Sequence, residues 1–301
     1  MREQAIITDV GPRDGLQNQS QILTIAQRAE LVRALATTGI GHVEIGSFVS
    51  PKAVPAMAGT DALTADLGHE LPARLIALIP NLKGYELAKA AGIKAVTMVV
   101  YASEGMAQKN VRMSRQQADD AASSILAKAN EDGIDVITTI AVGFECPFDG
   151  ASDPGIVREQ TARYLEQGAD SVVVADTIGA ANPAQVSELS KSLVAAHGHE
   201  RLGMHFHDTR SMGLANVYAA AEAGIRRFDA SISGLGGCPF APGASGNVAT
   251  EEVVFLLDQL GFDTGVNMQA LLEASALTET LIGKPSNAKS RNWLRKRYLS
   301  S

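Results

Sequence analysis

The chain has 301 residues, of which 46% are hydrophobic and 20% charged, with a formal net charge of −7. This is ample for a large buried core, in one α/β barrel or two smaller domains, and the acidic balance excludes general nucleic-acid binding through a positive field. Two cysteines, Cys146 and Cys238, make no disulfide framework. With no signal-peptide pattern and no bilayer-length apolar run, they predict a cytoplasmic protein without a membrane partner.

Strand-like and helix-like patterns alternate along the chain. A strand at Ala5–Thr8 precedes a helix over about Ile25–Thr37; a strand at His42–Ile45 precedes one over about Ala56–Leu67. Strands at Arg74–Ile79 and Ala95–Val100 are followed by helices over about Gly84–Ala91 and Ser114–Asp132. Strands at Asp135–Ile140, Ser171–Ala175, Leu202–His205 and Arg227–Ile232 lead into helices over about Pro154–Gln167, Pro183–His197, Met212–Ala223 and Glu251–Leu260. Gly92, Gly133, Gly168 and Gly224 each follow a helix, where a left-handed residue ends it. Asp153-Pro154 and Asn182-Pro183 read as N-caps with a first-turn proline. The count predicts an α/β fold, a (β/α)8 TIM barrel with one or two extra C-terminal helices. No linker divides residues 1–301, so one catalytic domain is expected, with about 264–301 as a helical extension. An open doubly wound sheet shares the local pattern, but no glycine-rich dinucleotide fingerprint follows the first strand.

Barrel enzymes carry their chemistry at the C-terminal strand ends, and polar residues gather there. The first strand runs into Arg13 and Asp14, the second into Glu44 and Ser47, the third into Asn81, the sixth into Asp176 and the seventh into His205 and His207. The eighth leads to a Gly-Leu-Gly-Gly-Cys-Pro loop at 234–239 and then to Asn247. Two histidines two apart on a strand face the same side, and closure makes strands seven, eight and one neighbours. Asp14, His205, His207 and Asn247 can therefore surround one divalent ion, Mg2+ or Mn2+ before zinc, since no thiolate belongs to the set. Arg13 reads as stabilising a developing oxyanion, or as an ion-pair partner of a rim carboxylate. Glu44 reads first as its orienter and second as a direct catalyst. Asp176 reads as a base or as a group holding His207. Cys238 reads as a general acid in a mobile glycine loop, or as an inert small residue. Cys146 reads as structural. The basic stretch Lys284 to Arg297 reads as a solvated helix, with a phosphate contact or a subunit contact around Trp293 as the functional readings.

In order along the chain, the segments Val-Gly-Pro-Arg-Asp-Gly-Leu-Gln-Asn (10–18), Glu-Ile-Gly-Ser-Phe-Val-Ser-Pro-Lys (44–52), Pro-Asn-Leu-Lys-Gly (80–84), Asp-Thr-Ile-Gly (176–179), His-Phe-His-Asp-Thr (205–209), Gly-Leu-Gly-Gly-Cys-Pro (234–239) and Gly-Ala-Ser-Gly-Asn-Val-Ala-Thr-Glu (243–251) resemble the 3-hydroxy-3-methylglutaryl-CoA lyase family. The resemblance implies metal-dependent cleavage of a 3-hydroxyacyl-CoA to acetyl-CoA and a keto product, acetoacetate for the family substrate. It implies Asp14, His205, His207 and Asn247 as ligands of Mg2+ or Mn2+, Arg13 on the thioester enolate, Cys238 at its protonation, and Glu44 and Asp176 in support. Gln17, Ser47, Asn81, Thr139 and Val173 are the expected substrate-contacting positions. An acyl-CoA partner is implied, and a homodimer is compatible with it.

The chain departs from the family run after the fifth strand, reading Thr139-Ile140-Ala141-Val142-Gly143-Phe144-Glu145-Cys146-Pro147-Phe148. Val173 stands where serine is usual, and Arg210-Ser211 where Tyr-Gly is usual. Losing polar groups from an acyl pocket would change what it accepts, so a different or longer-branched acyl group, citramalyl-CoA included, is an alternative. A Claisen synthase of the isopropylmalate type and a non-catalytic acyl-CoA binder are the remaining readings. The glycine-cysteine loop stands against the first, and retention of Arg13, Cys238 and every candidate ligand against the second.

Overall fold

The computed structural model describes residues 2–68, 70–237 and 246–299. Eight parallel strands close into a barrel: β1 (Ile6–Asp9), β2 (His42–Ser47), β3 (Arg74–Leu78), β4 (Ala95–Tyr101), β5 (Asp135–Ala141), β8 (Ser171–Asp176), β9 (Leu202–Phe206) and β10 (Arg227–Ala230). The short strands β6 (Glu145–Cys146) and β7 (Gly150–Ala151) form a separate antiparallel ribbon between β5 and β8. Several of these strands read as largely apolar or β-branched runs because barrel strands are covered on both faces. In β8, Ser-Val-Val-Val-Ala-Asp is buried at every position.

The helices are α1 (Ile25–Ala36), α2 (Thr60–Leu67), α3 (Leu82–Ala90), α4 (Glu104–Val111), α5 (Arg115–Asp132), α6 (Pro154–Glu166), α7 (Pro183–His197), α8 (Gly213–Glu222), α9 (Thr250–Gln259), α10 (Met268–Ile282) and α11 (Arg291–Leu299). Local chemistry sets their ends. Thr24, Ser114 and Asn182 make reciprocal capping boxes with Gln27, Gln117 and Gln185, and Asp153 caps α6 ahead of Pro154. Gly92, Gly133, Gly168 and Gly224 all take positive φ, as expected for residues that turn a helix back into a strand. The extra C-terminal helices are α10 and α11. Helix α4 is an addition to the predicted elements; it is short, polar and started by the Ser103 cap.

Two layers of apolar side chains follow. The larger lies between the strands and the helices. The smaller, Ile76, Ala95, Ile137 and Val173, comes from alternating positions on β3, β4, β5 and β8 and fills the barrel interior. Val173 pairs in register with Gly203 and with Thr139. Its own Cγ2 would meet a Cβ built at Gly203 at 3.1 Å. The inner face that carries Val173 is therefore continuous with the one that carries His205. No helix of the described residues is long and apolar enough to cross a membrane.

Candidate active site and metal centre

The first strand does not run on to Asp14. β1 stops at Asp9, and Gly11–Gly15 make one π-helical turn over the barrel mouth. Gly11 is required by close approach, because a Cβ there would stand 2.7 Å from Ile232 Cγ2 and 2.8 Å from Asp9 Oδ1. Gly15 likewise leaves room for Leu235, whose Cβ would be 2.8 Å from an added methyl. The turn is pinned from below by Asp9, buried, which accepts from the Gly11 amide at 2.8 Å and from Thr250 Oγ1 at 2.7 Å.

That turn delivers Arg13 and Asp14 to the centre of the rim. Arg13 Nη1 donates to Asp14 Oδ1 at 2.7 Å, and Nη2 meets Glu44 Oε2 at 2.8 Å. Both readings of Glu44 as a rim carboxylate and as the arginine's partner therefore meet in one contact. Gln17 Nε2 donates to Asp14 Oδ1 at 3.2 Å. From the far side, Asn247 Nδ2 donates to Asp14 Oδ2 at 2.8 Å and to the Leu235 carbonyl at 3.1 Å. Asn247 reaches this point because residues 246–248 pair with the end of β9, with Asp208 N on Gly246 O and Val248 N on Phe206 O, both 3.1 Å. It thus lies across from His207.

Asp14, His205 and His207 each offer one ligand atom, and these atoms lie within 4.8 Å of one another. The two imidazole centroids are 5.2 Å apart. Asn247 faces Asp14 through Nδ2, while its Oδ1 is buried without a hydrogen-bond partner among the described residues, so the oxygen would join this trio with the amide turned over. Two imidazoles, a carboxylate and an amide oxygen fit a divalent cation that takes nitrogen and oxygen ligands. The ionisation states suit it as well. Burial opposes the charge on Asp14, yet Arg13, His205, His207 and Asn247 together hold its carboxyl down at about 2. Burial, reinforced by His205, lowers His207 to about 4. Burial also works to lower His205, but the bond to Asp229 and its charge outweigh it and leave His205 raised.

Two further rim carboxylates are shifted the other way. Burial pushes Glu44 up to about 6 against the pull of Arg13, and Asp176 up to about 6 against two backbone amides. Those amides are Ala180 N and Ala181 N, at 2.8 and 3.1 Å from the Asp176 oxygens. The partners of Asp176 are thus loop amides and not His207. Ser47 is buried with its Oγ unpartnered among the described residues. Asn81 is exposed and caps α3 through the Gly84 amide at 3.0 Å. Thr139 shares a hydrogen bond with Thr97 at 3.3 Å inside the barrel. Val173 lies deeper, in the interior apolar cluster. Cys238 lies outside the described residues. Cys146 is buried, with its sulfur facing the Phe148 amide at 3.4 Å.

Sequence reading missed Asp229 and Asp9. Asp9 closes β1 and Asp229 sits within β10, each on a barrel strand where an unpaired charge would be costly. That is the signal that could have found them. Asp229 Oδ2 stands 3.2 Å from His205 Nδ1.

The HMGL-like family model matches residues 4–278. The chain is 41% identical over 293 residues to an (R)-citramalyl-CoA lyase of Chloroflexus aurantiacus, covering 94% of this chain and 92% of that protein. It is 39% identical over 284 residues to a 3-hydroxy-3-isohexenylglutaryl-CoA/hydroxy-methylglutaryl-CoA lyase of Pseudomonas aeruginosa, covering 94% and 95%. The crystal structure of a hydroxymethylglutaryl-CoA lyase from Pseudomonas aeruginosa superposes with a TM-score of 0.93 at 38% identity, over 99% of each chain. By sequence and by fold, then, the chain belongs to the HMGL-like family and is a carbon–carbon lyase acting on CoA esters.

Proposed function

We propose that this protein cleaves the C2–C3 bond of a 3-hydroxy-3-methylglutaryl-CoA-like thioester, releasing acetyl-CoA and a keto acid, acetoacetate for the unsubstituted case. The observation that carries this reading is Arg13, held by Glu44 and Asp14 directly beside the trio of Asp14, His205 and His207. Asp14, His205, His207 and Asn247 would hold Mg2+ or Mn2+. Such an ion, when bound, supplies Lewis acidity toward the substrate oxygens and lowers the cost of deprotonating the 3-hydroxyl.

The residues of the chain divide the remaining work. Asp176, raised to about 6 by burial, accepts the 3-hydroxyl proton. The oxygen's electron pair then forms the ketone at C3, and the C2–C3 pair passes to C2 and the thioester oxygen. Arg13 stabilises that enolate with a guanidinium that stays charged at any working pH. Burial works against its charge, but Glu44 and Asp14 outweigh burial and raise it further. Glu44 keeps the guanidinium aimed at the mouth. Protonation at C2 completes acetyl-CoA, and the sequence resemblance assigns that proton to Cys238. Gln17, just beyond the π-helical turn, and Ser47, at the end of β2, would contact the substrate at the mouth, with Thr139 and Val173 below it.

The test is acetyl-CoA release from 3-hydroxy-3-methylglutaryl-CoA, citramalyl-CoA and a longer-branched 3-hydroxyglutaryl-CoA, each with and without Mg2+ or Mn2+. Metal-dependent turnover, strongest on the first, is expected. No cleavage of any member, with or without metal, would end this reading. Preference for the longer-branched thioester would place the selectivity at the apolar wall of Ala141 and Val173.

A further inference from the structure

We propose that Asp229 is a positioning residue that fixes the tautomer of His205, holding the proton on Nδ1 so that Nε2 is the atom turned to a divalent cation. The inference rests on the metal-centred reading above.

The placement follows from strand register. β9 and β10 pair with His205 directly opposite Asp229, and β1 on the other side places Thr8 opposite the same residue. Asp229 therefore occupies the inner face of the barrel at the level of the first histidine. Its Oδ2 lies 3.2 Å from His205 Nδ1, and both side chains are largely covered. A carboxylate only accepts hydrogen bonds, so Nδ1 must be the donor. A neutral imidazole carries one N–H, and the Nε2 lone pair is then left free. His205 has no second tautomer that keeps this contact.

The two histidines of the trio differ in this respect. Nδ1 of His207 is buried with no hydrogen-bond partner among the described residues, so His207 is placed by strand geometry and packing alone. Among the described residues, a carboxylate stands behind one imidazole of this set and none behind Nδ1 of the other. Asp229 also acts on Arg13 and Glu44 through its charge, which ties the metal-facing half of the site to the enolate-facing half. A carboxylate inside a barrel strand costs stability, and among the described residues its side-chain hydrogen-bond partner is the ligand His205.

Mn2+ binding to the full chain, followed by electron paramagnetic resonance without any acyl-CoA, tests this directly. Asp229→Ala should weaken Mn2+ about 10- to 100-fold. Asp229→Asn keeps an acceptor for Nδ1–H but loses the charge, and should fall between that variant and the wild type. In parallel, 15N spectra of histidine-labelled wild-type protein, assigned against His205→Gln and taken at a pH high enough to leave the ring neutral, should show His205 protonated on Nδ1 and not on Nε2. That readout needs no variant of Asp229 and stands even if Asp229→Ala does not fold. A wild-type His205 protonated on Nε2 overturns the proposal, and so does Mn2+ affinity in Asp229→Ala within about twofold of wild type. Wild-type protein that takes up no Mn2+ overturns the metal reading and this inference together. Normal uptake that Asp229→Ala weakens, in a protein that cleaves none of the tested thioesters, supports the inference while refuting the proposed lyase activity on them.

Discussion

Glu251→Gln should remove a large part of the loss of stability between mildly acidic and neutral pH. Glu251 opens α9 and is 2% exposed. Both of its carboxyl oxygens lie 3.1 Å from the Ser233 amide. Burial lifts it to about 7, against the lowering effect of Ser275 and the Ser233 amide and with a raising contribution from Asp9. An exposed glutamate titrates near 4.5. Because the folded value is the higher one, the carboxyl's contribution is complete below pH 4.5 and is lost as pH rises through about 7. At about 1.36 kcal/mol for each pH unit between those limits, the wild type loses ~3 kcal/mol that the glutamine variant keeps. Glutamine can accept from Ser233 and donate toward Ser275, so little packing changes. Asp9, raised to about 6 by burial, slopes in the same direction in both proteins and to first order drops out of the difference. Urea unfolding of both proteins at about pH 5 and about pH 8 reads this difference. Stability curves that run parallel within about 1 kcal/mol would show that Glu251 is ionised in the fold throughout and refute the reasoning.

Three further outcomes follow from the site. Arg13→Met should lower kcat about 10²- to 10³-fold and, by leaving Glu44 buried without its cation, cost ~3–5 kcal/mol; Arg13→Lys should lie between, since one ammonium cannot reproduce the fork that reaches both carboxylates. Acetyl-CoA release, calorimetric binding of the acyl-CoA and thermal unfolding separate the two effects. Asp176→Asn should lower kcat about 10²- to 10⁴-fold and abolish the rise of activity with pH through about 6 that an ionising base imposes on the wild type; a pH–rate profile checks it. Gly11→Ala must displace Ile232 or the turn itself, costing ~1–3 kcal/mol, and should weaken Mn2+ uptake beyond what its Tm predicts.

The barrel was legible because strands such as β4, β5 and β8 are largely buried and so stand out as apolar or β-branched runs, and because the glycines that end helices do so by a local, left-handed geometry. Asp153 and Asn182 were legible for the same reason: a cap bonds within three residues of itself. The turn at 11–15 was not, because its shape depends on Ile232 and Leu235, more than 200 residues away in the chain. Asp14, His205 and His207 were legible as a group, since i,i+2 alternation and barrel closure are topological statements that need no side-chain detail. Asp229 was hidden because strand alternation alone does not say which inward residue faces a histidine on the neighbouring strand; that needs the register. Asp176 shows the same limit. Its place at the end of β8 could be read, but not that its oxygens would be taken by Ala180 and Ala181 amides.

Metal ligands must be deprotonated before they bind, and a site that starts in the wrong ionisation state loses affinity at neutral pH. Here the fold has already done most of that work. Arg13, placed by the π-helical turn, is the foremost of the groups that overcome the burial penalty on Asp14 and keep it ionised. The same burial that penalises Asp14 keeps His207 neutral, with the neighbouring imidazole assisting. One environment thus keeps the carboxylate charged and this imidazole neutral, both of them ligand forms, while Asp229 raises His205 the other way. Arg13 carries a second consequence. Its Nη1 occupies an oxygen of Asp14 at 2.7 Å while Nη2 is drawn to Glu44 at 2.8 Å. In the proposed reaction the residue that prepares the ligand would also receive the enolate, and Glu44 would hold it for both. Weakening Glu44, for instance by Glu44→Gln, should lower metal affinity and turnover together, whereas a change confined to the acyl wall at Val173 should alter turnover among thioesters and leave Mn2+ affinity as it is.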